Sequence, residues 1–326
     1  MILVIDNFKI FEKWASKTYE YKINSLREDK RFKVIDIEEI ENINYLEYDK
    51  MILGWNMCKY SKYYTIKNEF YSKKINNLES KEEIEKKLED ILKHPKKYLI
   101  VQDFINNDDY ENGIESLNKY LEEYNILGII SPYLKTDKSN EIKSEIYHLP
   151  HHIDSNKFMD WGREKKYDIF IYGNCSPIRY PLRNRILKLL KKESENLKIL
   201  FWENKLSRNY FRFNNSISNE NLSKRINESW LCVCTSSYSN VLLGKYIETS
   251  MSGSCVLGDM PEDGREIWEN NFVEIRNEMS DDDIIERIKE SLKDKEELLR
   301  KIEIMKLKIE NYSLDKFSSK LYDLLN

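Results

Sequence analysis

The chain has 326 residues, of which 40% are hydrophobic and 34% charged, with a net charge of −4 and a pI near 5.8. That composition excludes a disordered chain and gives no overall basic field for nucleic acid, and the length suggests about two domains. No apolar run approaches the roughly 20 residues of a membrane span, and MILVIDNFKIFEKW (1–14) lacks the basic start and cleavage site of a secretory signal.

Short apolar runs alternate with helical patterns along the whole chain. MILVI (1–5) reads as a strand, followed by a helix over 8–28. FKVIDI (32–37) and KMILGW (50–55) are the second and third strands. KYSKYYTIKNEFYSKK (59–74) reads as a solvated helix or loop, and it is the one stretch with the basic and aromatic mixture of a nucleic-acid channel. A charged helix over 78–93 opens at Ser80 with Glu82 and Glu83 in its first turn. KYLIVQDF (97–104) is the fourth strand; a helix over 111–124 leads to ILGIIS (126–131) and then EIYHLP (145–150).

After Pro150 the pattern restarts. YDIFIYG (167–173), LKILFW (197–202), WLCVCTS (230–236), SCVLG (254–258) and FVEI (272–275) are strands, with helices over 179–194, 220–228, 240–252 and 262–269 between them. Two charged helices finish the chain, the first opened by Asp281, Asp282 and Asp283 as N-terminal capping charge. Strands apolar on both faces, alternating with helices, make an α/β protein of two Rossmann-like, doubly wound halves joined near 150–160. Such halves bind ligands in the cleft at the carboxyl ends of their strands.

The five cysteines (58, 175, 232, 234 and 255) are an odd number and are expected as thiols in a reducing, cytoplasmic setting. Cys232 and Cys234 have no second pair, and His148, His151 and His152 have no Cys or paired carboxylate at ligand spacing, so no metal site is expected. No cofactor is expected either. Asn7-Phe8-Lys9 follows the first strand and GNCSPIRYPLRNR (173–185) holds one glycine, so the G-x-G-x-x-G turn of NAD or FAD binding is missing.

The candidate site lies around NVLLGKYIETSMSGSCVLGDMPEDGREIW (240–268). A helix starting near Asn240 offers free N–H groups and a positive dipole end to an anion, with Ser236, Ser237, Ser239 and Asn240 as caps or donors and Tyr238 among them. Its apolar stripe is Leu242, Leu243, Tyr246, Ile247 and Ser250; Glu248 falls opposite, as a solvated partner of Lys245 or as an acceptor for ligand hydroxyls. Gly253 suits a left-handed cap, Gly258-Asp259 ends a strand at the cleft, and Asp263-Gly264 reads as an ordinary turn. Gly173 and Asn174 lead to Arg179, Arg183 and Arg185, whose guanidinium groups suit phosphate or form a surface face with Lys188 and Lys191; Pro181 suits a first turn. Lys205, Arg208 and Trp202 lie at or beyond the next strand. Asp6 and Asp103 sit at strand ends as loop caps or bases, and His151 and His152 sit at the join.

Four stretches carry a resemblance: HLPHHIDSNKF (148–158), YDIFIYGNCSPIRYPLRNRILKLL (167–190), INESWLCVCTSSYSNVLLGKYIETSMSGSCVLGDMPE (226–262) and NYSLDKFSSKLYDLL (311–325). In this order they resemble the C-terminal donor domain of GT-B glycosyltransferases, of the group-1 type and its CgeB-like relatives. The resemblance implies an acceptor domain at 1–150, a nucleotide-sugar donor domain at 151–310, and a terminal helix at 311–326 that crosses back to the first domain. It implies metal-independent transfer from a nucleotide-diphosphate sugar, UDP- or GDP-linked, to a glycan, protein or small-molecule acceptor, by a monomer or homodimer that does not act on nucleic acid. Glu248 would then hold the ribose hydroxyls, and Arg183 or Arg179 the leaving diphosphate. Asp103 and His151 are the candidates for the chemistry at the acceptor. Many relatives carry a second glutamate eight positions before the first; Asn240 stands there. The alternatives are a degenerate nucleotide-sugar-binding module, a DNA-base glycosyltransferase and a sugar epimerase of the same fold.

Overall fold

Runs of Ile, Leu and Val cannot be solvated on either face of a strand and must be covered on both. The structure, a computed structural model, describes residues 1–6, 17–54, 89, 91–101, 113–134, 139–193, 195–203 and 217–326. The sequence expectations at 59–74 and Ser80, and those at Asp103, Lys205 and Arg208, lie outside the described residues. The chain divides into two compact units, Met1–Pro150 with Asp315–Asn326, and His151–Leu314.

The first unit is built on six parallel strands in the order β2-β1-β3-β4-β5-β6. They are β1 (Ile2–Asp6), β2 (Phe32–Asp36), β3 (Lys50–Leu53), β4 (Lys97–Ile100), β5 (Ile126–Ser131) and β6 (Glu145–His148). Every residue of β1 is buried, with Leu3 and Ile5 packed on Leu53, Leu99 and Ile129. Asp6 is the last residue of β1 rather than part of the loop after it, and it is buried. A Cβ on Gly54 would fall 1.9 Å from its carboxylate, so the glycine is what leaves room for that acid. Helices α1 (Lys17–Arg27) and α2 (Gly113–Glu123) belong to this unit. So does the final helix, Phe317–Leu325. Arg31 holds that helix by donating to Ser319 Oγ (2.8 Å) and lying 4.7 Å from the Tyr322 ring centroid, while Lys50 donates to the Leu325 carbonyl.

The second unit repeats the winding with five parallel strands in the order β11-β10-β9-β7-β8. These are β7 (Tyr167–Gly173), β8 (Ile199–Glu203), β9 (Ser229–Val233), β10 (Cys255–Gly258) and β11 (Val273–Glu274). Its helices in chain order are α3 (Pro181–Lys192), α4 (Asn219–Asn227), α5 (Gly244–Met251), α6 (Glu262–Trp268), α7 (Asp281–Lys293) and α8 (Lys295–Ile309). Trp202 packs partly buried against the core of Phe170, Tyr172 and Val256, the structural alternative for that residue. The first turn of α7 carries the expected acidic cap, with Ser280 and Asp283 bonding each other's backbone N–H groups. Asp263 and Gly264 lie inside α6, not in an isolated turn; Gly264 is there because a Cβ would meet Met260 Sδ at 2.6 Å and Leu242 Cδ1 at 3.0 Å. Cys175, Cys232, Cys234 and Cys255 form no disulfide. Among the described residues no helix is long and apolar enough to cross a membrane.

The end of β10 packs tightly against the residue that follows β9. A Cβ on Gly258, at φ 154°, would stand 1.8 Å from the carbonyl oxygen of Cys234. Gly258→Ala therefore forces the two strands apart and should cost at least about 2 kcal/mol in denaturant unfolding. Gly162→Ala, with open space around its φ of 62°, should lose only about 1 kcal/mol. Equal losses would show that backbone conformation rather than the contact with Cys234 dominates.

Candidate functional site

In the second sheet the strand order reverses between β9 and β7, and the loops leaving their carboxyl ends form the site, as expected for a switch point in a doubly wound sheet. Gly173 ends β7 with φ 88°. Asn174 then accepts the Ser176 N–H on its side-chain oxygen at 2.8 Å, and Ser176 Oγ accepts the N–H of Ile178 at 3.3 Å. These small turns deliver the chain to Tyr180 and to Pro181 in the first turn of α3, as its fixed φ favours.

One turn into α3, Arg183 is 2% exposed. Its Nη1 donates to the Asn174 carbonyl at 3.0 Å and its Nη2 to the Thr235 carbonyl at 2.9 Å, while its Cζ lies 4.2 Å from the Tyr180 ring centroid. Its Nε is buried with no hydrogen-bond partner. Lys245, in the first turn of α5, donates to the Tyr172 carbonyl and sits 3.6 Å from the Tyr172 ring centroid. The two cations meet over a single glycine: a Cβ on Gly173 would be 3.3 Å from Lys245 Nζ and 3.8 Å from Arg183 Nη1. Neither forms an ion pair with a carboxylate among the described residues. Burial pulls the Lys245 amine down to about 8, and the Arg183 charge beside it acts in the same direction.

Glu248 lies one turn along α5, partly buried, and accepts the Tyr172 hydroxyl on Oε2 at 3.2 Å. Burial raises its carboxyl, opposed by Lys245 and by the Tyr172 bond. The expected alternative, a solvated Glu248 paired with Lys245, is not what forms, because both side chains turn to Tyr172.

The loop after β9 is held by Asp259, which follows β10. Its Oδ1 accepts the Ser236 N–H at 2.9 Å, its Oδ2 accepts the Ser236 hydroxyl, and its carbonyl accepts the Tyr246 hydroxyl at 2.9 Å. Tyr238 N–H donates to the Arg179 carbonyl at 2.9 Å, joining this loop to the one after β7. Ser237 Oγ accepts the N–H of Ser239 at 3.3 Å, and the Asn240 N–H bonds to the Ser237 carbonyl at 3.0 Å.

Several expectations need correction. The helix starts at Gly244, not near Asn240, because Asn240 takes φ 50° to finish the turn and Leu243 is extended at the N-cap. Ser236, Ser237, Ser239 and Asn240 therefore do not cap it; no side chain does. Arg185 points away from the site and fixes the entry to α7, donating to Asp281 Oδ1 (2.7 Å), Asn277 O (2.8 Å) and Met279 O (2.7 Å). Arg179 is partly buried beside the site, with no side-chain bond among the described residues. The His151 ring stands over the amino end of α5, with Cγ 3.7 Å from the Cβ position of Gly244. His152 is buried and lies 6.1 Å from the Tyr312 ring. Asp6 belongs to the other unit. Among the described residues no group of three His, Cys, Asp or Glu side chains is placed to hold a metal ion.

Sequence reasoning missed Tyr172 and Thr235 as contributors, and placed Asp259 at the cleft without its bonds to Ser236 and Tyr246. The signal for Tyr172 was position alone: it precedes the glycine that ends β7.

No protein-family profile and no curated protein matches the sequence. Solved structures do match in fold. S. aureus TarM aligns with 89% of this chain at 14% identity and TM-score 0.53, and the chain spans 57% of that protein. Sucrose-phosphate synthase from Thermosynechococcus elongatus aligns with 99% of this chain and 98% of its own, at 9% identity and TM-score 0.59. Anabaena HepE, solved with UDP, aligns with 99% of both chains at 9% identity and TM-score 0.60. These neighbours are GT-B glycosyltransferases, and the α/β fold with two parallel sheets is theirs.

The uncompensated lysine has a measurable consequence. Its folded-state value of about 8 lies below the ordinary 10.5, so between these pH values the unfolded chain binds more protons and stability rises with pH. Lys245→Met removes that contribution. The stability difference between wild type and variant should move in favour of wild type by up to about 1.4 kcal/mol per pH unit across this window. A difference that is flat with pH would show that the amine is not desolvated.

Proposed function

We propose that the protein is a glycosyltransferase of the group-1, CgeB-like type, which moves a sugar from a nucleotide-diphosphate donor to an acceptor hydroxyl. The observation that carries this reading is the pair of unpaired cations, Arg183 and Lys245, converging over Gly173 at the switch point of the sheet. A desolvated double positive charge is suited to a diphosphate, whose charge grows as the sugar leaves. Backbone carbonyls and tyrosine rings hold the cations in place without neutralising them, so the charge is available to the ligand. In this reading Arg and Lys supply what a divalent ion supplies elsewhere, and the transfer is metal-independent.

Glu248 accepts the ribose hydroxyls, and the bond from Tyr172 keeps it oriented. The amino end of α5 and His151 face the donor's phosphate and sugar, and the first unit holds a glycan, protein or small-molecule acceptor, with Asp103 or His151 as the base. Absent side-chain capping at Leu243 supports an anion there, since the first amides of α5 lack a side-chain acceptor. UDP is the nucleotide best supported, because HepE was solved with it. Cysteines that form no disulfide among the described residues fit work in the cytoplasm, as a monomer or homodimer. A donor-binding module without transfer is the second reading, favoured by Asn240 where many relatives carry the second glutamate.

A thermal-shift screen of UDP-, GDP- and dTDP-sugars tests the reading. One class should stabilise the protein, by about 2.7 kcal/mol at a hundredfold excess over Kd. Arg183→Gln or Lys245→Met should weaken that donor about a hundredfold, as loss of one charged bond implies. Glu248→Gln should weaken the nucleoside diphosphate about tenfold yet leave inorganic pyrophosphate unaffected. Stabilisation by none of the three classes, or equal loss of pyrophosphate in Glu248→Gln, contradicts the assignment. Sugar release or transfer from the bound donor separates an enzyme from a module.

A further inference from the structure

Lys245 combines three properties found together nowhere else among the described lysines. The residue is only partly buried, its amine is held below the ordinary range at about 8 by burial, and it lies beside a guanidinium not engaged by any carboxylate among the described residues. Lys22 and Lys165 are also lowered to about 8 by burial, but neither has an arginine beside it. Lys165 is spent on the carbonyls of Asn227 (2.7 Å), Ser229 (2.9 Å) and Gly253, and Lys22 lies 5.5 Å from the Phe317 ring centroid.

We propose that Lys245 is a modification site for acyl phosphates, which dock their phosphate on Arg183 and transfer their acyl group to the Lys245 amine, closing the site to diphosphates. The proposal rests on reading this site as a diphosphate cradle. Its geometric basis is that Lys245 Nζ and Arg183 Nη1 both border Gly173, 3.3 and 3.8 Å from its Cβ position, which makes Lys245 the amine neighbouring an acyl phosphate held by Arg183. In the step, the neutral amine nitrogen forms a bond to the acyl carbon, and the carbon–oxygen bond to phosphate breaks with its electron pair leaving on phosphate. The amine proton passes to that phosphate. The products are an amide and inorganic phosphate, and no oxidant or reductant is needed.

The amine must be neutral to react. The charged and titratable groups that influence it are Arg183, Glu248, Cys232 and Cys234, and the Tyr172 phenol lies under it. At pH 8 an amine of this kind has a neutral fraction on the order of a hundredfold above that of a lysine at 10.5. The amide product is uncharged and bulkier, so one of the two cations over Gly173 is lost.

The test uses the wild-type protein and acetyl phosphate at pH 8, with peptide mass spectrometry over time and calorimetry of inorganic pyrophosphate on the same sample. Lys245 should be acetylated at least about tenfold faster than Lys22 and Lys165, and pyrophosphate should suppress Lys245 alone about tenfold. The acetylated protein should bind pyrophosphate at least about tenfold more weakly. Pyrophosphate that binds but does not protect Lys245, or rates equal at the three lysines, overturns the modification and leaves the diphosphate reading standing. No pyrophosphate binding overturns both.

Discussion

Two cations converge over Gly173 with no carboxylate paired to either among the described residues, and the site is organised around that fact. Burying an unpaired charge is among the costliest things a fold can do, and a carboxylate partner is the usual remedy. Here Arg183 is given carbonyl oxygens from Asn174 and Thr235 and the face of Tyr180, and Lys245 is given the carbonyl and ring of Tyr172. Dipoles and ring faces stabilise a cation without cancelling its charge. Burial, with the neighbouring Arg183 charge second, lowers the proton affinity of Lys245. A site tuned for stability alone would have paired these groups, and the imbalance is the kind of stored strain that marks a functional site.

The remainder of the second unit keeps that arrangement from relaxing. The strand order places the ends of β7 and β9 side by side, so that Asn174 and Thr235 reach Arg183 from opposite flanks. Gly173 leaves the volume in which the cations meet. Asp259 bonds both the loop after β9, through its carboxylate, and Tyr246, the neighbour of Lys245 on α5, through its carbonyl, so one residue locks the loop to the helix. Gly258 allows β10 to approach Cys234 closely enough for Asp259 to reach. Tyr172 serves Lys245 through its carbonyl and ring and Glu248 through its hydroxyl, which ties the proposed phosphate and ribose contacts to one residue.

Much of the fold was legible because continuous β-branched and Leu-rich runs have few other uses. The spans predicted at 126–131 and 167–173 coincide with β5 and β7. Local rules failed where tertiary contacts decided. A run of Ser and Asn before an apolar helix reads as a cap, yet Ser236 is taken by Asp259 from a distant strand end and Asn240 adopts a left-handed turn. Asp263-Gly264 has turn chemistry but sits in a helix because Met260 and Leu242 need the space. Helical spacing put Arg179 and Arg183 on one face, and only Arg183 became buried. The pairing of Lys245 with Arg183 across Gly173 has no sequence signature, since it depends on where β7 ends relative to α5.

Diffraction from crystals grown with UDP tests the central claim most directly. The account predicts the β-phosphate over Gly173, within about 3 Å of both Arg183 and Lys245, with the ribose hydroxyls on Glu248. A diphosphate bound elsewhere, with Lys245 still directed only to the Tyr172 carbonyl, would contradict it.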